Sequence, residues 1–156
     1  MRVRNAAPSD STFIHELAER LASQPVPAWR DAAPLSAKLD EAKEAYADTL
    51  PDDHVVYVCE DEQGKIAGYA HAGMDADFFS GEAQAHLYYL VTAPEIEGRG
   101  VARRLMNEIE IWARARGASG ILLYVFAPNA RARAVYTRAG FEEDMVKMVK
   151  PLTGVC

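Results

Sequence analysis

The chain has 156 residues, of which 49% are hydrophobic and 26% are charged, and its formal net charge is −6. This length and composition predict one soluble domain, residues 1–156, with its own hydrophobic core. The acidic balance without a basic block argues against nucleic acid and membranes as partners, and no apolar run approaches the roughly 20 residues of a membrane span. Because the N-terminus lacks a signal-peptide core and two cysteines are too few for a disulfide framework, we expect a cytoplasmic protein with reduced thiols.

The first third of the chain predicts a short strand and two helices. Residues 3–5 are a strand candidate, and the apolar residues between positions 13 and 21 recur at helical spacing behind a polar start. Residues 23–34 contain three prolines and predict a loop. A second amphipathic helix is expected from residue 35 to residue 50, where Pro51 ends it.

The pattern then becomes that of strands. The run HVVYVCE from His54 is β-branched and apolar, DEQG at 61–64 is a hairpin turn signal, and KIAGYAHAG supplies the partner strand. Residues 74–83 read as a loop, and residues 85–92, AHLYYLVT, predict a third long strand. These features predict a hairpin followed by a further strand.

The last third alternates helices and strands. A helix is predicted from Val101 to about Arg116, with Gly117 as its cap. The apolar run at 121–126 predicts a central strand buried on both faces. A short helix at 130–139 and a last strand at 141–149 follow. The whole order predicts an α/β fold with a mixed sheet flanked by helices.

The glycine motif EGRGVA is the strongest local signal for a ligand site. A strand, a tight turn and a helix start predict an anion site, because the first helix amides have no internal partners and the helix dipole is positive there. Gly98 and Gly100 lack Cβ atoms, so a phosphate can approach the backbone closely. A Walker loop would need Lys and Ser or Thr after the second glycine, and a Rossmann fingerprint would need a third glycine. The motif fits neither, and a plain helix start remains the alternative.

The segment APNARARAVYTRAGFEE supplies a second signal. Asn129 stands at a helix start, where it is a good N-cap, and Tyr136 lies seven residues later on the same helix face. A tyrosine hydroxyl near a thiolate can act as a general acid, although packing alone would also explain a tyrosine there.

Together, EGRGVA and NARARAVYTRAGF resemble the GNAT superfamily of N-acetyltransferases, which use acetyl-coenzyme A. The resemblance covers nearly the whole chain in element order and is strongest from residue 85 to residue 141. It implies a GNAT fold with a mostly antiparallel sheet, and direct attack of a primary amine on the thioester. It also implies donor-binding residues on the third strand, on the glycine motif and at the last helix, namely Leu90, Val91, Thr92, Gly98, Arg99, Gly100, Val101, Ala102, Arg103 and Asn129.

The resemblance also assigns catalytic roles. Tyr136 would protonate the departing thiolate, and the amide of Leu90 or its neighbour would polarise the thioester carbonyl. The motif usually opens with Gln or Arg where this chain has Glu97, so whether Glu97 contacts the donor stays open. A carboxylate there weakens pyrophosphate binding unless it points to solvent or pairs with a nearby arginine.

An amine acceptor must lose a proton before it attacks, which requires a general base. His86 is the first candidate, because its pKa suits the task and its position matches that of a base in some family members. A purely structural histidine, a water chain and a carboxylate remain alternatives. Tyr88 and Tyr89 are not expected to face the acceptor together, because adjacent strand residues alternate sides. The remaining histidines look scattered, so no metal site is predicted, and Cys59 is expected to be a core residue.

The acceptor is predicted only as a class: a small-molecule amine or a peptide N-terminus. Acidic and aromatic residues at 74–82 and the aromatic at Trp29 would suit a cation. A non-catalytic acyl-coenzyme A sensor with the same fold is the alternative function. The predicted last strand, with its exposed edge, could support a homodimer.

Overall fold

The computed structural model describes residues 1–31 and 50–152. The predicted second helix, at 35–50, lies almost wholly outside the described residues. Two 3-10 turns, Pro8–Asp10 and Pro94–Ile96, accompany the regular elements. In chain order, the strands and α-helices are β1 Arg2–Asn5, α1 Ser11–Ala22, β2 His54–Glu60, β3 Ile66–Ala76, β4 Ala83–Thr92, α2 Val101–Ala115, β5 Ile121–Leu122 and α3 Ala130–Arg138.

The five strands of the described residues form one sheet in the order β1-β2-β3-β4-β5. The first four are antiparallel, and β5 runs parallel to β4. This mixed, mostly antiparallel sheet with helices against it confirms the predicted fold class. Among the described residues, no helix combines the length and apolarity needed to cross a membrane.

The core lies between the sheet and its helices. α1 buries Ile14, Leu17 and Ala18, while α2 packs on β2, β3 and β4. The α2 residues Leu105 and Ile109 are almost fully buried. Burying side chains of this size stabilises the fold by about 1.5–3 kcal/mol each relative to leaving them exposed. The helical spacing of these apolar residues is therefore what fixes α2 on the sheet.

An ion-pair network fixes the N-terminal strand. Arg4 on β1 holds both carboxylate oxygens of Asp10, at 2.6 and 3.0 Å, and its Nε donates to Glu60 on β2 at 2.6 Å. Asp10 is buried and also accepts from the amide of Ala7 at 2.7 Å. Because the buried carboxylate is fully hydrogen-bonded, it links β1, the first turn and β2 instead of destabilising them.

Three predictions from the strand patterns need correction. The predicted loop at 74–83 is shorter, because β3 and β4 pair as far as Ala76 and Ala83. The predicted buried strand at 121–126 is a strand only at Ile121–Leu122, at the sheet edge and half-buried. Its parallel partner β4 pairs with it only through Ala85 and His86, and the two then diverge, leaving Tyr124 exposed.

The predicted last strand at 141–149 is also wrong. These residues have no strand pairing, and the side chains of Met145, Val146 and Met148 are exposed. The physical reason lies in the pattern: apolar residues stand in adjacent pairs, so a strand here would present apolar side chains on both faces. Covering two faces takes partners on both sides, and the described residues supply none.

Candidate active site

The glycine motif forms an open backbone cradle at the start of α2. Gly98 and Gly100 both have positive φ, 78° and 83°, and Gly100 is the residue that precedes the helix. A Cβ on Gly98 would meet no atom within 4 Å, and one on Gly100 would meet only the Arg103 side chain at 3.7 Å. The glycines are thus required by backbone conformation, and the space in front of them is free for an anion.

Glu97 is paired with two arginines. Its Oε1 lies 2.8 Å from Arg20 Nη2 on α1, and its Oε2 contacts Arg131 on α3. The guanidinium of Arg131, followed by that of Arg20, lowers the pKa of Glu97 below its usual range. The carboxylate is therefore neutralised beside the cradle by groups from two helices. Arg20 also donates to the carbonyl of Thr92, which ties α1 to the end of β4.

One edge of β4 becomes free where β5 leaves it. Pairing with β5 ends at His86, so on that side Leu90, Val91 and Thr92 have no strand partner among the described residues. The opposite edge is paired with β3 throughout this stretch. Next to the glycine cradle, the divergence of the parallel strands thus leaves main-chain groups of β4 without a strand partner, although the Thr92 carbonyl already accepts from Arg20, and this suits an extended amide-containing arm.

The helix α3 carries the two residues singled out by the second motif. The side chain of Asn129 accepts from the amide of Ala132 at 3.2 Å, which is the N-cap predicted for it. Tyr136 packs against the core and meets the ring of Phe141 edge-on, with centroids 5.7 Å apart. Burial raises the pKa of Tyr136 above its usual value, so the hydroxyl keeps its proton at neutral pH.

His86 lies where β4 and β5 part, with a carboxylate behind it. Its Nδ1 is 3.7 Å from Asp75 Oδ2 on β3, and its ring packs on Tyr88 and Tyr124 at centroid distances of 4.2 and 5.2 Å. Burial lowers the pKa of His86, while Asp75 opposes that shift. In a neutral imidazole, a carboxylate facing Nδ1 favours the proton on Nδ1, which leaves Nε2 as the nitrogen that can accept a proton.

Two more histidines join His86 in one cluster, so the description of the remaining histidines as scattered is wrong for His54 and His71. His54 Nδ1 and His71 Nε2 are 2.9 Å apart across β2 and β3. The ring of Tyr88 contacts all three imidazoles, at 5.4, 5.1 and 4.2 Å between centroids. Together with Tyr89 these residues form the histidine–tyrosine cluster. Over residues 1–31 and 50–152, no three His, Cys, Asp or Glu side chains converge as metal ligands.

A β-bulge explains why both tyrosines belong to this cluster. Ala72 pairs with Leu87 and His71 with Tyr89, so Tyr88 is an extra residue in β4. Both tyrosine rings then lie against His71, at 5.1 and 5.9 Å. The expectation that only one of them could face this side is wrong, because strict alternation fails at a bulge.

Comparison with known proteins agrees with this architecture. A model described as the acetyltransferase (GNAT) family matches residues 14–141. The chain belongs to the GNAT acetyltransferase family. It is also 33% identical, over 102 residues, to a mycothiol acetyltransferase of Propionibacterium freudenreichii. That match covers 65% of the chain but only 32% of the relative, so the chain spans about a third of the curated relative's length.

Solved structures extend the likeness over the whole fold of this GNAT protein. A mutant of the BH1408 protein from Bacillus halodurans superposes with a TM-score of 0.77 at 18% identity, covering 98% of this chain and all of that one. Glucosamine-6-phosphate N-acetyltransferase from Arabidopsis thaliana gives a TM-score of 0.66 at 19% identity, covering 97% and 98%. At such identities the likeness concerns the fold alone.

Several side chains near the site were missed by sequence reasoning. Arg20 and Arg131 lie 77 and 34 positions from Glu97, and no local pattern links them to it. The proximity of His54 and His71 could have been predicted from the sequence. Folding the predicted hairpin symmetrically about its DEQG turn places His54 opposite His71. The observed register is shifted near Cys59 and Glu60 and places His54 opposite Gly73, two residues from His71 on the same sheet face. Cys59 is fully buried, and burial raises the pKa of its thiol, as expected of a core residue.

Proposed function

We propose that this GNAT protein transfers the acetyl group of acetyl-coenzyme A to a primary amine. The observation that carries the proposal is the glycine cradle beside the free edge of β4. The amides from Gly98 through Arg103 would hold the pyrophosphate, with Arg99 and Arg103 adding positive charge and Val101 and Ala102 supplying helix amides. Leu90, Val91 and Thr92 would bind the pantetheine arm through main-chain groups, and Asn129 would line its path.

The proposal gives catalytic roles to His86, where β4 and β5 part, and to Tyr136 on α3. His86 takes a proton from the ammonium form of the acceptor, and Asp75 orients the imidazole. The neutral amine attacks the thioester carbonyl, which the amide of Leu90 or its neighbour polarises. Tyr136 then gives its proton to the sulfur as the carbon–sulfur bond breaks, and the tyrosinate recovers a proton from the amine nitrogen, so an amide, a thiol and one proton on His86 result. Tyr136 is half-buried, and its hydroxyl is protonated at neutral pH, as an acid must be; burial raises its pKa, so it donates this proton less readily than an exposed tyrosine would.

The acceptor is a small-molecule amine or a peptide N-terminus. Asp75, itself half exposed, lies at the mouth of the histidine–tyrosine cluster, and Tyr124 is largely exposed beside it. A carboxylate and aromatic faces at one opening favour a cationic acceptor. Phe78 and Phe79 lie exposed at the tip of the β3–β4 loop.

The competing function is a non-catalytic sensor of acyl-coenzyme A, which would use the same cradle. We would measure release of free coenzyme A with a panel of amines, for the wild type and for Tyr136→Phe, alongside coenzyme A binding by calorimetry. Transfer by the wild type and a fall of at least 10-fold in kcat in the variant, with binding retained, support the proposal. Binding without turnover for every amine would establish the sensor instead, and an absence of binding would remove both.

We also propose that residues 1–156 form one domain that associates as a homodimer in the cytoplasm. The exposed apolar residues at 145–149 supply the contact. In an antiparallel pair of such segments centred on Val146, Glu142 of one copy would face Lys150 of the other. Light scattering on Met148→Lys would test the dimer, because a charge at that contact should yield monomers while the wild type stays dimeric.

A further inference from the structure

The His54–His71 pair has a defined direction. Its two facing nitrogens, His54 Nδ1 and His71 Nε2, share one hydrogen bond of 2.9 Å, so only one of them carries the proton. The other nitrogen of His54, Nε2, lies 3.9 Å from Asp53 Oδ1. A carboxylate favours an N–H over a lone pair at that position. The electrostatics therefore assign the proton of the shared bond to His71 Nε2, with His54 accepting at Nδ1.

With this assignment, the N–H groups of His71 and His54 both point from the interior toward the surface. His71 is largely buried beneath Tyr88 and Tyr89, whereas the side chain of Asp53 is 58% exposed. The N–H of His71 points to His54, and the N–H of His54 points toward Asp53. One hydrogen bond between imidazoles, followed by a carboxylate 3.9 Å away that a water can bridge, is an arrangement that can move a proton in one direction.

The His54 ring fits against β3 because residue 73 is a glycine. Gly73 faces His54 across the β2–β3 ladder, and a Cβ on Gly73 would lie 2.6 Å from His54 Nε2. A strand interior disfavours glycine, so its presence marks a place where another group approaches the backbone closely. The imidazole thus occupies a space that every other residue at position 73 would fill.

Acetylation of an amine needs an outlet for a proton. An ammonium ion and a thioester become an amide, a thiol and one free proton, so each turnover leaves one proton to discard. In the proposed reaction, the donor and the acceptor would together fill the cleft beside His86. A second route, which runs from the cluster toward β2 and away from β5, would carry the proton to solvent while the cleft is filled.

We propose that His71 and His54 form a proton exit from the histidine–tyrosine cluster to Asp53 at the surface, an inference that rests on the proposed acetyl transfer. The proton taken up by His86 passes by way of Tyr88, whose ring contacts both imidazoles, or of water beside it, and reaches Nδ1 of His71. His71 then loses its Nε2 proton to His54 Nδ1. His54 then releases its Nε2 proton to Asp53 or to water beside it. No electrons change hands, and rotation of the two rings restores the starting tautomers.

The surroundings suit a carrier that passes charge on without holding it. The exit is faced by Asp53 and His54 from β2 and its preceding turn, by Asp75 from β3, and by His86, Tyr88 and Tyr89 from β4. Burial first, and then the charges of the two neighbouring histidines, lower the pKa of His71 to about 3. A proton arriving on His71 therefore moves outward to His54 instead of remaining there.

The test uses chemical rescue. We would measure kcat and KM of His54→Gln and of the gentler surface variant Asp53→Asn in weakly buffered solution, with an amine that the wild type accepts, while raising the concentration of imidazole buffer. The exit predicts a fall in kcat of roughly 10-fold or more in His54→Gln, with the KM for acetyl-coenzyme A little changed. It also predicts that imidazole restores kcat in both variants and leaves the wild type unaffected, because the buffer replaces the missing carrier.

The control is His15→Gln, which alters a histidine on α1 and should show neither the loss nor the rescue. An unchanged kcat in His54→Gln, or a loss that imidazole does not reverse, overturns the exit, since a packing defect is not repaired by buffer. Ring nitrogen NMR shifts of the unliganded wild type give an independent readout: the proton of His54 must lie on Nε2, and the opposite tautomer contradicts the direction assigned here. A wild type without transfer to any amine sinks the proposed function, and the exit with it.

Discussion

Gly68 lets the end of β4 approach the start of α2, and Gly68→Ala should disturb both at once. A Cβ on Gly68 would lie 2.6 Å from the carbonyl oxygen of Val91 and 2.9 Å from Cγ1 of Val101. The first neighbour is backbone and the second is a β-branched side chain that is 2% exposed, so neither can rotate away. The backbone of β4 therefore has to move away from Gly68.

The size of the effect follows from these distances. Ordinary contact begins near 3.4 Å, so the carbonyl of Val91 must retreat by about 0.8 Å. Overpacking of this kind costs about 1–3 kcal/mol, which for a domain of this size lowers Tm by roughly 2–12 °C. Because Val91 belongs to the proposed pantetheine edge, we also expect kcat/KM for acetyl-coenzyme A to fall roughly 10- to 100-fold.

Thermal unfolding and steady-state kinetics on the same preparation would measure both effects. The matched control is Gly64→Ala in the hairpin turn, where φ is +80° and a Cβ meets nothing within 4 Å. That variant bears only the strain of a left-handed conformation, about 1–2 kcal/mol, and should keep the wild-type kcat/KM. If Gly68→Ala unfolds and turns over like the wild type, β4 does not depend on this close approach and our account of the edge is wrong.

Three further variants probe the surroundings of the site. Glu97→Gln releases two arginines beside the cradle and should tighten acetyl-coenzyme A binding by about 2- to 5-fold in calorimetry, whereas weaker binding would mean that the carboxylate itself supports the donor. Asp10→Asn should lower the unfolding free energy at pH 7 by about 1–3 kcal/mol. The arginine partner on β1 lowers the folded pKa of Asp10 below 3.8, so the wild type holds this stability above pH 3.8 and loses it as the pH falls through the folded pKa. Acid titration of both proteins should therefore show the gap closing below about pH 4, and a constant gap would refute the linkage. Asn129→Ala removes an N-cap worth about 1 kcal/mol, and kcat should fall as the helix that carries Tyr136 loosens, while Asn129→Asp, which also caps, should retain activity.

Much of the fold could be predicted because its signals are local. The hairpin about residues 61–64 and the helix Val101–Ala115 each follow from a turn signal or a periodic apolar face within one short stretch. The glycine cradle was equally accessible, since both glycines have the positive φ that motivates their presence. Sequence reasoning failed where the outcome depends on distant neighbours. The apolar run after residue 120 looked central, but β4 diverges from it after His86.

The active-site predictions divide in the same way. Residue types identified His86 and Tyr136 as candidates, whereas the partners that set their environment come from other elements. Asp75 reaches His86 from the neighbouring strand, and Tyr88 and Tyr89 meet because of one extra residue in β4. A bulge leaves no mark in hydrophobic periodicity when the residues around it are all aromatic or apolar. Only the paired register reveals it.

The bulge at Tyr88 also separates β4 into two halves that obey different registers against β3. Residues before it line the end of the sheet where His86 lies, and residues after it form the edge next to the glycine cradle. In the proposed function, the half of β4 that carries His86 would face the amine and the half next to the glycine cradle would face the thioester carrier, so the bulge would lie at the boundary between the acceptor side and the donor side.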